Sequence, residues 1–294
     1  VQHHHAGFWG RQVYQIKEGG LPVLFQKCLL ALRLAPAIPI VLILRALRPL
    51  VLVRFGTLPS HAIGPFAGAT DVYLCEREAG LHPKRTIDIF NYRYRISNQQ
   101  LRKMWERTLH TSPLLRPLAS ANNLLPGGAS HVVPFPTDQD FHGLIPRSRV
   151  HLFFTAEEER LGQAGLRDLG LPEGAPFVGI YGRDTGYKGR DTGTEWSLSL
   201  NQEEPRHIYR NTSIHNYVPA AEELVRRGYF VIRMGAVVNE ALRTTNPMII
   251  DYATKARSDF MDIFLCAKCR FFLGTNAGLS AVPRIFRRPD ICAN

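Results

Sequence analysis

Three segments of the sequence carry residues that could bind a phosphorylated ligand. Arg183 and Asp184 follow one apolar run, Arg233 and Gly235 close a second, and a stretch of small residues, 274–280, follows a third. Arginine offers phosphate oxygens a fixed charge and a forked set of N–H donors. A strand that passes through a small-residue turn into a helix brings backbone N–H groups together at one point. The chemistry predicted for these segments is neutralisation of a diphosphate.

A regular alternation of strands and helices after residue 172 would position these segments. Strands are predicted at 177–181, 229–234, 248–252, 270–273 and 290–293, with helices between them at 216–227, from 258 and at 279–286. This alternation indicates an α/β fold with a parallel sheet, and parallel strands direct their carboxyl ends to one edge. We therefore expect the three segments to meet there.

The helix that begins after Ser258 is the best defined of these elements. Ser258 is a typical N-cap, Asp259 suits the positive end of a helix, and apolar residues recur at 260, 263, 264 and 267. The strand and the turn Gly274-Thr275-Asn276-Ala277-Gly278-Leu279-Ser280 follow it. A tight strand-to-helix turn that binds no ligand is the alternative interpretation.

The first half of the chain is less regular. Strands are predicted at 50–55, 72–75 and 86–90, a helix at 97–109, and Thr155 and Glu158 form a capping box before another helix. This alternation of strands and helices indicates a parallel sheet, and we expect little regular structure at 111–150. His61, in a Gly- and Pro-rich stretch after the first strand, is a candidate general base, with Asp71 and Glu76 as other candidates. A solvated loop histidine is the alternative.

The N-terminal segment is basic and apolar. The 294-residue chain has a formal net charge of +11, and residues 1–60 hold seven Lys or Arg against Glu18 alone. Residues 21–50 are apolar but interrupted, and the longest uncharged run, 34–44, is too short to span a membrane. Such a segment suits either an anionic membrane surface or a core helix with solvated arginines.

Signals for a bound metal ion are weak. Cys266 and Cys269 form a CxxC without a second ligand pair, and Asp138 and Asp140 lie in a loop. No Gly-rich dinucleotide fingerprint, P-loop or GxSxG motif is present in the sequence. The long polar stretch from Asp184 to Asn211 leaves the predicted phosphate edge and is interpreted as a lid.

The second half resembles bacterial surface-polysaccharide glycosyltransferases of the GT-B fold, and it is distantly similar to fucosyltransferases. The matching stretches are Gly182 to Tyr187, Tyr209-Arg210-Asn211 with Ile214, Asn216 and Tyr217, Val231 to Gly235, and Arg257 to Phe260 through Gly274, Thr275 and Gly278. The resemblance implies two Rossmann-like domains facing a cleft. The Gly- and Pro-rich break at 170–176 is the predicted boundary, which gives a basic segment at 1–49, an acceptor-side domain at 50–171 and a nucleotide-sugar domain at 172–294. Because the sequence stops at the fifth predicted strand, we expect the last domain to be incomplete at its C-terminus.

The resemblance also implies an activity and a set of site residues. The activity is metal-independent transfer of a sugar from a nucleotide-diphosphate donor to a glycan or lipid-linked hydroxyl, with no cofactor besides this co-substrate. Arg183 and His61 would be catalytic. The donor would be bound by Arg183, Asp184, Tyr187, Arg210, Asn211, Arg233, Gly235, Ser258, Asp259, Gly274, Thr275, Asn276, Gly278 and Ser280.

Two other functions remain open at this point: a nucleotide-sugar epimerase of the same fold, and a membrane-docked scaffold that binds a nucleotide or polyanion. Nucleic acid is not an expected partner, because the N-terminal basic residues alternate with aliphatic and not with aromatic side chains. The expected location is cytoplasmic, peripheral on the inner face of the plasma membrane.

Overall fold

The computed structural model describes residues 8–93, 95–135, 139–186, 208–255 and 257–293. The chain divides into two compact units. The first unit comprises Val1–Thr57, Pro83–Asn91 and Thr111–Pro134, and the second comprises Leu58–His82, Tyr92–His110 and Phe135–Asn294. The units interleave along the sequence, and the proposed domain boundary at residues 171 and 172 stays a prediction.

The regular elements follow in chain order. The strands are β1 (Leu52–Leu58), β2 (Thr86–Tyr92), β3 (Phe177–Tyr181), β4 (Phe230–Arg233), β5 (Ile249–Asp251), β6 (Phe272–Gly274) and β7 (Asp290–Cys292). The helices are α1 (Phe8–Leu34), α2 (Ala37–Ala46), α3 (Ile63–Glu78), α4 (Gln99–Thr108), α5 (Leu115–Leu124), α6 (Ala156–Asp168), α7 (Val218–Arg226), α8 (Asp259–Lys268) and α9 (Ala281–Ile285).

The second unit is built on a parallel sheet with the strand order β5-β4-β3-β6-β7. The chain moves outward from β3 to one edge and then returns to β6 on the other side of β3. The carboxyl ends of β3 and β6 therefore form a topological switch point, where α/β proteins bind ligands. The predicted α/β class with a Rossmann-like parallel sheet is confirmed.

Apolar side chains of the strands pack against apolar side chains of the neighbouring helices. One buried cluster contains the strand residues Val178, Ile180, Val231 and Ile249. It also contains Ile214 and Tyr217, which precede α7, and Ala221, which lies within α7. Helix α8 is buried along its length from Met261 to Ala267. The capping box predicted before α6 is confirmed, with Thr155 accepting from the Glu158 N–H and the Glu158 carboxylate accepting from the Thr155 N–H.

In the first unit, β1 pairs with β2 and a buried ion pair joins them. The Arg54 guanidinium donates to both carboxylate oxygens of Asp88, at 2.7 and 2.8 Å. Helix α2 packs Ala37 and Val41 against Phe55 and residues of α5. Arg45 is half-buried and donates to the Asn122 side chain, so one of the arginines expected in solvent or at a membrane is bound to α5.

Two expectations for the first half are wrong. The predicted strand at 72–75 lies inside α3, whose residues from Phe66 to Tyr73 are buried on all sides. Burial all round removes the polar stripe that distinguishes a helix from a strand in sequence. Helix α5 lies in a region expected to be loop-rich. Among the described residues, no helix has both the length and the apolar character needed to span a membrane.

Candidate anion-binding site

The switch point joins Arg183 to the turn after β6. The Arg183 N–H donates to Thr275 Oγ1 at 2.9 Å, and the Thr275 N–H donates to the Tyr181 carbonyl at 3.1 Å. We call residues 274–280 the β6 turn. The expected meeting of Arg183 with this turn is confirmed, because topology places residues 92 positions apart in hydrogen-bond contact.

The segment 210–212 packs onto the same place. The Thr212 N–H donates to the Arg183 carbonyl at 2.9 Å, and a guanidinium nitrogen of Arg183 donates to Asn211 Oδ1. Arg183 is 8 % exposed. The Arg210 guanidinium lies 3.5 Å from the Asn276 carbonyl, and its buried Nε has no hydrogen-bond acceptor within the described chain. Arg210 thus contacts the β6 turn through its side chain, and Arg183 contacts it through its backbone N–H.

Asp184 has an internal role in the loop after β3. One carboxylate oxygen accepts from the Gly186 N–H at 2.9 Å, and the other accepts from the Asn239 N–H at 2.8 Å. The side chain fixes the start of the predicted lid, as aspartate does in a local turn. Tyr187 lies outside the described residues, so its donor-binding role stays a prediction.

Arg233 lies at the end of β4, but its charge points into the interior. It is 1 % exposed, and its guanidinium donates to Asp251 Oδ1 at 2.9 Å. Gly235 follows, where a β-carbon would lie 2.7 Å from Val238 Cγ1. The structure does not place the Arg233 guanidinium in contact with the β6 turn, and it gives this cation an internal partner.

The polar groups at the start of α8 are engaged with their own chain. Ser258 Oγ accepts from the Met261 N–H at 3.1 Å, which confirms it as the N-cap. The Asp259 carboxylate accepts from the Gln99 N–H at 2.8 Å, so it links the first turns of α8 and α4. Donor binding by Ser258 and Asp259 stays a prediction.

A cavity of about 210 Å³ lies beside the β6 turn. Its walls are formed by Gly274, Thr275, Asn276, Ser280, Arg284, Asp290 and Cys292. The buried Nε of Arg284 has no acceptor among the described groups. Burial raises the pKa of Asp290, and the nearby Arg284 charge opposes that rise. Sequence analysis missed Arg284, which lies in α9 directly after the turn. It also missed Asp290 and Cys292, because only the pairing of β6 with β7 brings them beside the turn.

His61 lies just before α3, whose first turn contacts the β6 turn. A β-carbon on Gly64 would lie 2.7 Å from Gly278 Cα, and one on Gly278 would lie 3.6 Å from the Ile63 side chain. Burial lowers the pKa of His61, and the charges of Arg93 and Arg95 lower it further. A lowered pKa keeps the imidazole neutral near pH 7, the form in which it can accept a proton.

The other candidate bases have internal partners. Asp71 is buried, with one carboxylate oxygen 2.7 Å from His151 Nδ1 and the other accepting from Arg287 at 2.7 Å. Glu76 lies 3.4 Å from His82. Each carboxylate oxygen of Asp71 therefore already has a partner within the chain.

Three groups of potential metal ligands have other roles. Asp71, Cys75 and His151 lie within 4.8 Å of one another, but Arg287 already occupies Asp71, and burial raises the pKa of Cys75 to about 11. Cys266 and Cys269 are buried with raised thiol pKa values. Asp140 accepts from the Leu144 and Ile145 N–H groups, and Asp138 lies outside the described residues.

No protein-family model matches the chain, and no curated protein sequence matches it. It is similar in structure to ADP-heptose lipopolysaccharide heptosyltransferase II of E. coli, with a TM-score of 0.41 and 12 % identity over 82 % of this chain and 84 % of that one. A family 9 glycosyl transferase from Veillonella parvula gives 0.47, with 9 % identity over 83 % and 80 %.

A third similar structure is a dodecameric iron-containing glycosyltransferase from enterotoxigenic E. coli. Its TM-score is 0.34, with 16 % identity over 83 % of this chain and 59 % of that one. These scores fall short of a shared fold, so the Rossmann-like assignment rests on the strand order of the second unit.

Proposed function

We propose that this protein is a glycosyltransferase that binds the diphosphate of a nucleotide sugar at the switch point of its second unit. The observation that carries the proposal is the meeting of Arg183, Arg210 and the β6 turn there. Transfer of the sugar would leave a nucleoside diphosphate with one more negative charge. Fixed cations placed where that charge develops lower the barrier to its departure.

The balance of charge at this place supports an anionic ligand. Arg210 forms no salt bridge with any residue in the described part of the chain, and its guanidinium is partly buried against the β6 turn. A partly buried cation without a carboxylate costs free energy, because it has given up solvation without gaining a counter-charge. A bound diphosphate would supply that counter-charge through forked hydrogen bonds.

We assign the role of general base to His61. A neutral imidazole would take the proton from an acceptor hydroxyl as its oxygen attacks the anomeric carbon of the donor. The acceptor in this proposal is a hydroxyl of a glycan or of a lipid-linked sugar. Arginines supply the positive charge that a divalent cation supplies in other transferases, so the proposed reaction is metal-independent.

A thermal-shift screen tests the proposed donor site. GDP-, UDP-, CMP- and ADP-linked sugars, including ADP-heptose, would each be added with and without EDTA. A ligand at 100 times its dissociation constant stabilises the fold by about 2.7 kcal/mol. We expect one nucleotide to stabilise the protein equally in both conditions. Stabilisation lost with EDTA would contradict metal independence, and stabilisation by none of them would contradict the donor site.

A turnover assay separates transfer from the two other functions. The stabilising nucleotide sugar would be incubated with the protein, with and without membrane glycolipids as acceptor. We expect release of the nucleoside diphosphate to depend on the acceptor. Isomerisation of the sugar nucleotide alone would identify an epimerase, and binding without turnover would identify a scaffold.

We also propose that the first unit lies on an anionic membrane surface, at the cytoplasmic face of the plasma membrane. Helix α2 and the turns after it expose Ile40, Ile43, Leu47 and Leu50 at helical spacing, with Ile43 61 % exposed. Helix α1 exposes a similar row after its break at Gly20 and Pro22: Leu21, Phe25, Leu29 and Leu32. Apolar side chains on a surface helix fit the boundary between headgroups and acyl chains.

The positive charge of the N-terminal segment favours an anionic lipid surface over another protein as its partner. Residues 19–70 contain no Asp or Glu, whereas Lys17 and Arg48 are exposed beside the two rows. Each basic residue near an anionic membrane contributes about 1 kcal/mol of attraction.

Vesicle flotation tests this surface. We expect the protein to float with phosphatidylglycerol-containing vesicles and less with pure phosphatidylcholine. Ile43→Asp should reduce flotation, while Leu161→Asp, at an exposed position on α6 of the second unit, should not. Equal flotation of both variants, or none of the wild-type protein, would contradict the proposal.

A further inference from the structure

We propose that the cavity beside the β6 turn binds the nucleoside of the donor, and that Asp290 and Arg284 recognise it. This inference rests on the proposed function and adds the part of the ligand that distinguishes one nucleotide sugar from another. Asp290 and Arg284 were not among the site residues predicted from the sequence.

The position of the cavity follows from the strand order. The diphosphate site lies where the ends of β3 and β6 diverge, and the cavity lies one strand further, between the β6 turn, α9 and β7. Thr275 and Asn276 belong to both places, because they line the cavity and also contact Arg183 and Arg210. A ligand held by its phosphates at the β6 turn can therefore extend directly into the cavity.

The lining has the polarity of a nucleoside site and not of a second phosphate site. Arg284 places a cationic side chain on the wall of the cavity. Asp290 supplies a carboxylate on the same wall, near enough to Arg284 for that charge to oppose the rise in the Asp290 pKa that burial causes. A base or ribose carries both acceptors and donors, which pair with these two groups, whereas a phosphate would be repelled by Asp290.

The direction of transfer also favours the nucleoside over the sugar. The anomeric carbon must be open to an acceptor hydroxyl, so the sugar has to point away from the walls of its own unit. The nucleoside leaves with the diphosphate and can stay enclosed throughout the reaction. Enclosure of a polar heterocycle with its partners satisfied gives the site its selectivity, because a wrong base would leave buried groups unpaired.

Cys292 provides a reporter inside the cavity. Its thiol is exposed, as is that of Cys28 in α1, whereas Cys75, Cys266 and Cys269 are buried. In a Cys28→Ala variant, Cys292 is therefore the accessible thiol of the described chain. Its alkylation rate by iodoacetamide, followed by mass spectrometry, measures whether a ligand covers the cavity wall.

The experiment compares nucleoside diphosphates with inorganic pyrophosphate on the full-length Cys28→Ala protein. The nucleotide that binds in a thermal-shift assay should slow alkylation of Cys292 by about tenfold or more at saturation. Saturating pyrophosphate should bind and leave the rate unchanged. Asp290→Asn should weaken nucleotide binding about tenfold, the effect of losing one hydrogen bond to a charged group, without weakening pyrophosphate. Asp168→Asn, at an exposed site, is the matched control.

The outcomes separate this inference from the proposed function. If nucleotides bind but leave Cys292 reactive, and Asp290→Asn binds them normally, the nucleoside site is overturned while the donor site stands. Protection by pyrophosphate alone would make the cavity a phosphate site and would also overturn it. If no nucleotide binds the folded protein, both proposals fail.

Discussion

Two arginine-rich regions of the second unit differ in how their charges are balanced. Around Arg287 the guanidinium donates to Asp71 at 2.7 Å and to the Ser148 and Arg149 carbonyls. Around the β6 turn, Arg210 and Arg284 form no salt bridge with the described chain, and each has a buried Nε without an acceptor. The first region is complete and holds elements together. The second has no salt-bridged carboxylate among the described residues, and this difference is the basis of the binding site proposed above.

The largest effect on stability is expected from a substitution at Arg287. Arg287→Ala should lower the free energy of unfolding by about 3–5 kcal/mol, because it leaves the buried Asp71 carboxylate without its cation. Urea unfolding measures the loss. Arg226→Ala, which removes an exposed helical partner of Glu223, should change stability by less than about 0.5 kcal/mol. Equal effects of the two changes would show that the Arg287 network is not structural.

At Arg183 we expect a substitution to lower turnover and not stability. Arg183→Ala should raise the activation free energy of transfer by about 2.7–4 kcal/mol, a loss of about 10²–10³ in turnover. The physical reason is loss of a fixed cation beside the leaving diphosphate. Steady-state kinetics with the identified donor measure it, and exposed Arg270→Ala serves as the control. Unchanged turnover on a folded protein would remove Arg183 from the site.

A change without charge tests whether the β6 turn needs its support. Gly64→Ala should cost about 1–3 kcal/mol of stability through overpacking, because the new carbon meets Gly278 backbone at 2.7 Å. Donor affinity should fall with it, since the turn must move. Thermal unfolding and a donor titration together give the result. Reduced stability with intact affinity would show that the turn is independent of α3.

The smallest effect is expected at Glu158, a carboxylate with hydrogen-bond donors in its own chain. Burial alone would raise the pKa of Glu158, but hydrogen bonds from Arg107, the Thr155 N–H and Gln100 lower it from 4.5 to about 2. Its contribution to stability is therefore present above pH 4.5 and is lost as the pH falls toward 2. When the unfolding midpoint is measured against pH, Glu158→Gln should reduce the loss of stability at acid pH. An identical loss in the variant would contradict the shift.

Most elements of the second unit could be predicted from the sequence. Ser258, the Thr155 capping box and the five short apolar runs are local signals, and each produced an element close to its predicted bounds. The prediction of a strand within α3 was wrong because a helix buried on all sides has no polar stripe. Periodicity reports contrast between two faces, and it carries no signal where both faces are buried.

The site was less accessible to sequence analysis, because charge balance is a property of partners. Arg183 follows β3 and Arg233 ends β4, so the two look alike in sequence. Asp251, which holds Arg233, is 18 residues away, and nothing local marks the pairing. Asp290 and Cys292 join the β6 turn only through the register of β6 with β7. Such features need the strand order.

The contact between Gly64 and Gly278 has a mechanical consequence. The two backbones meet with no side chain between them, so no rotamer change can absorb a relative displacement. When a ligand shifts the β6 turn, the start of α3 must shift with it, and His61 lies only three residues before Gly64. Occupancy of the donor site would thus be transmitted as a rigid displacement to the proposed base, so that filling one half of the reaction geometry aligns the other.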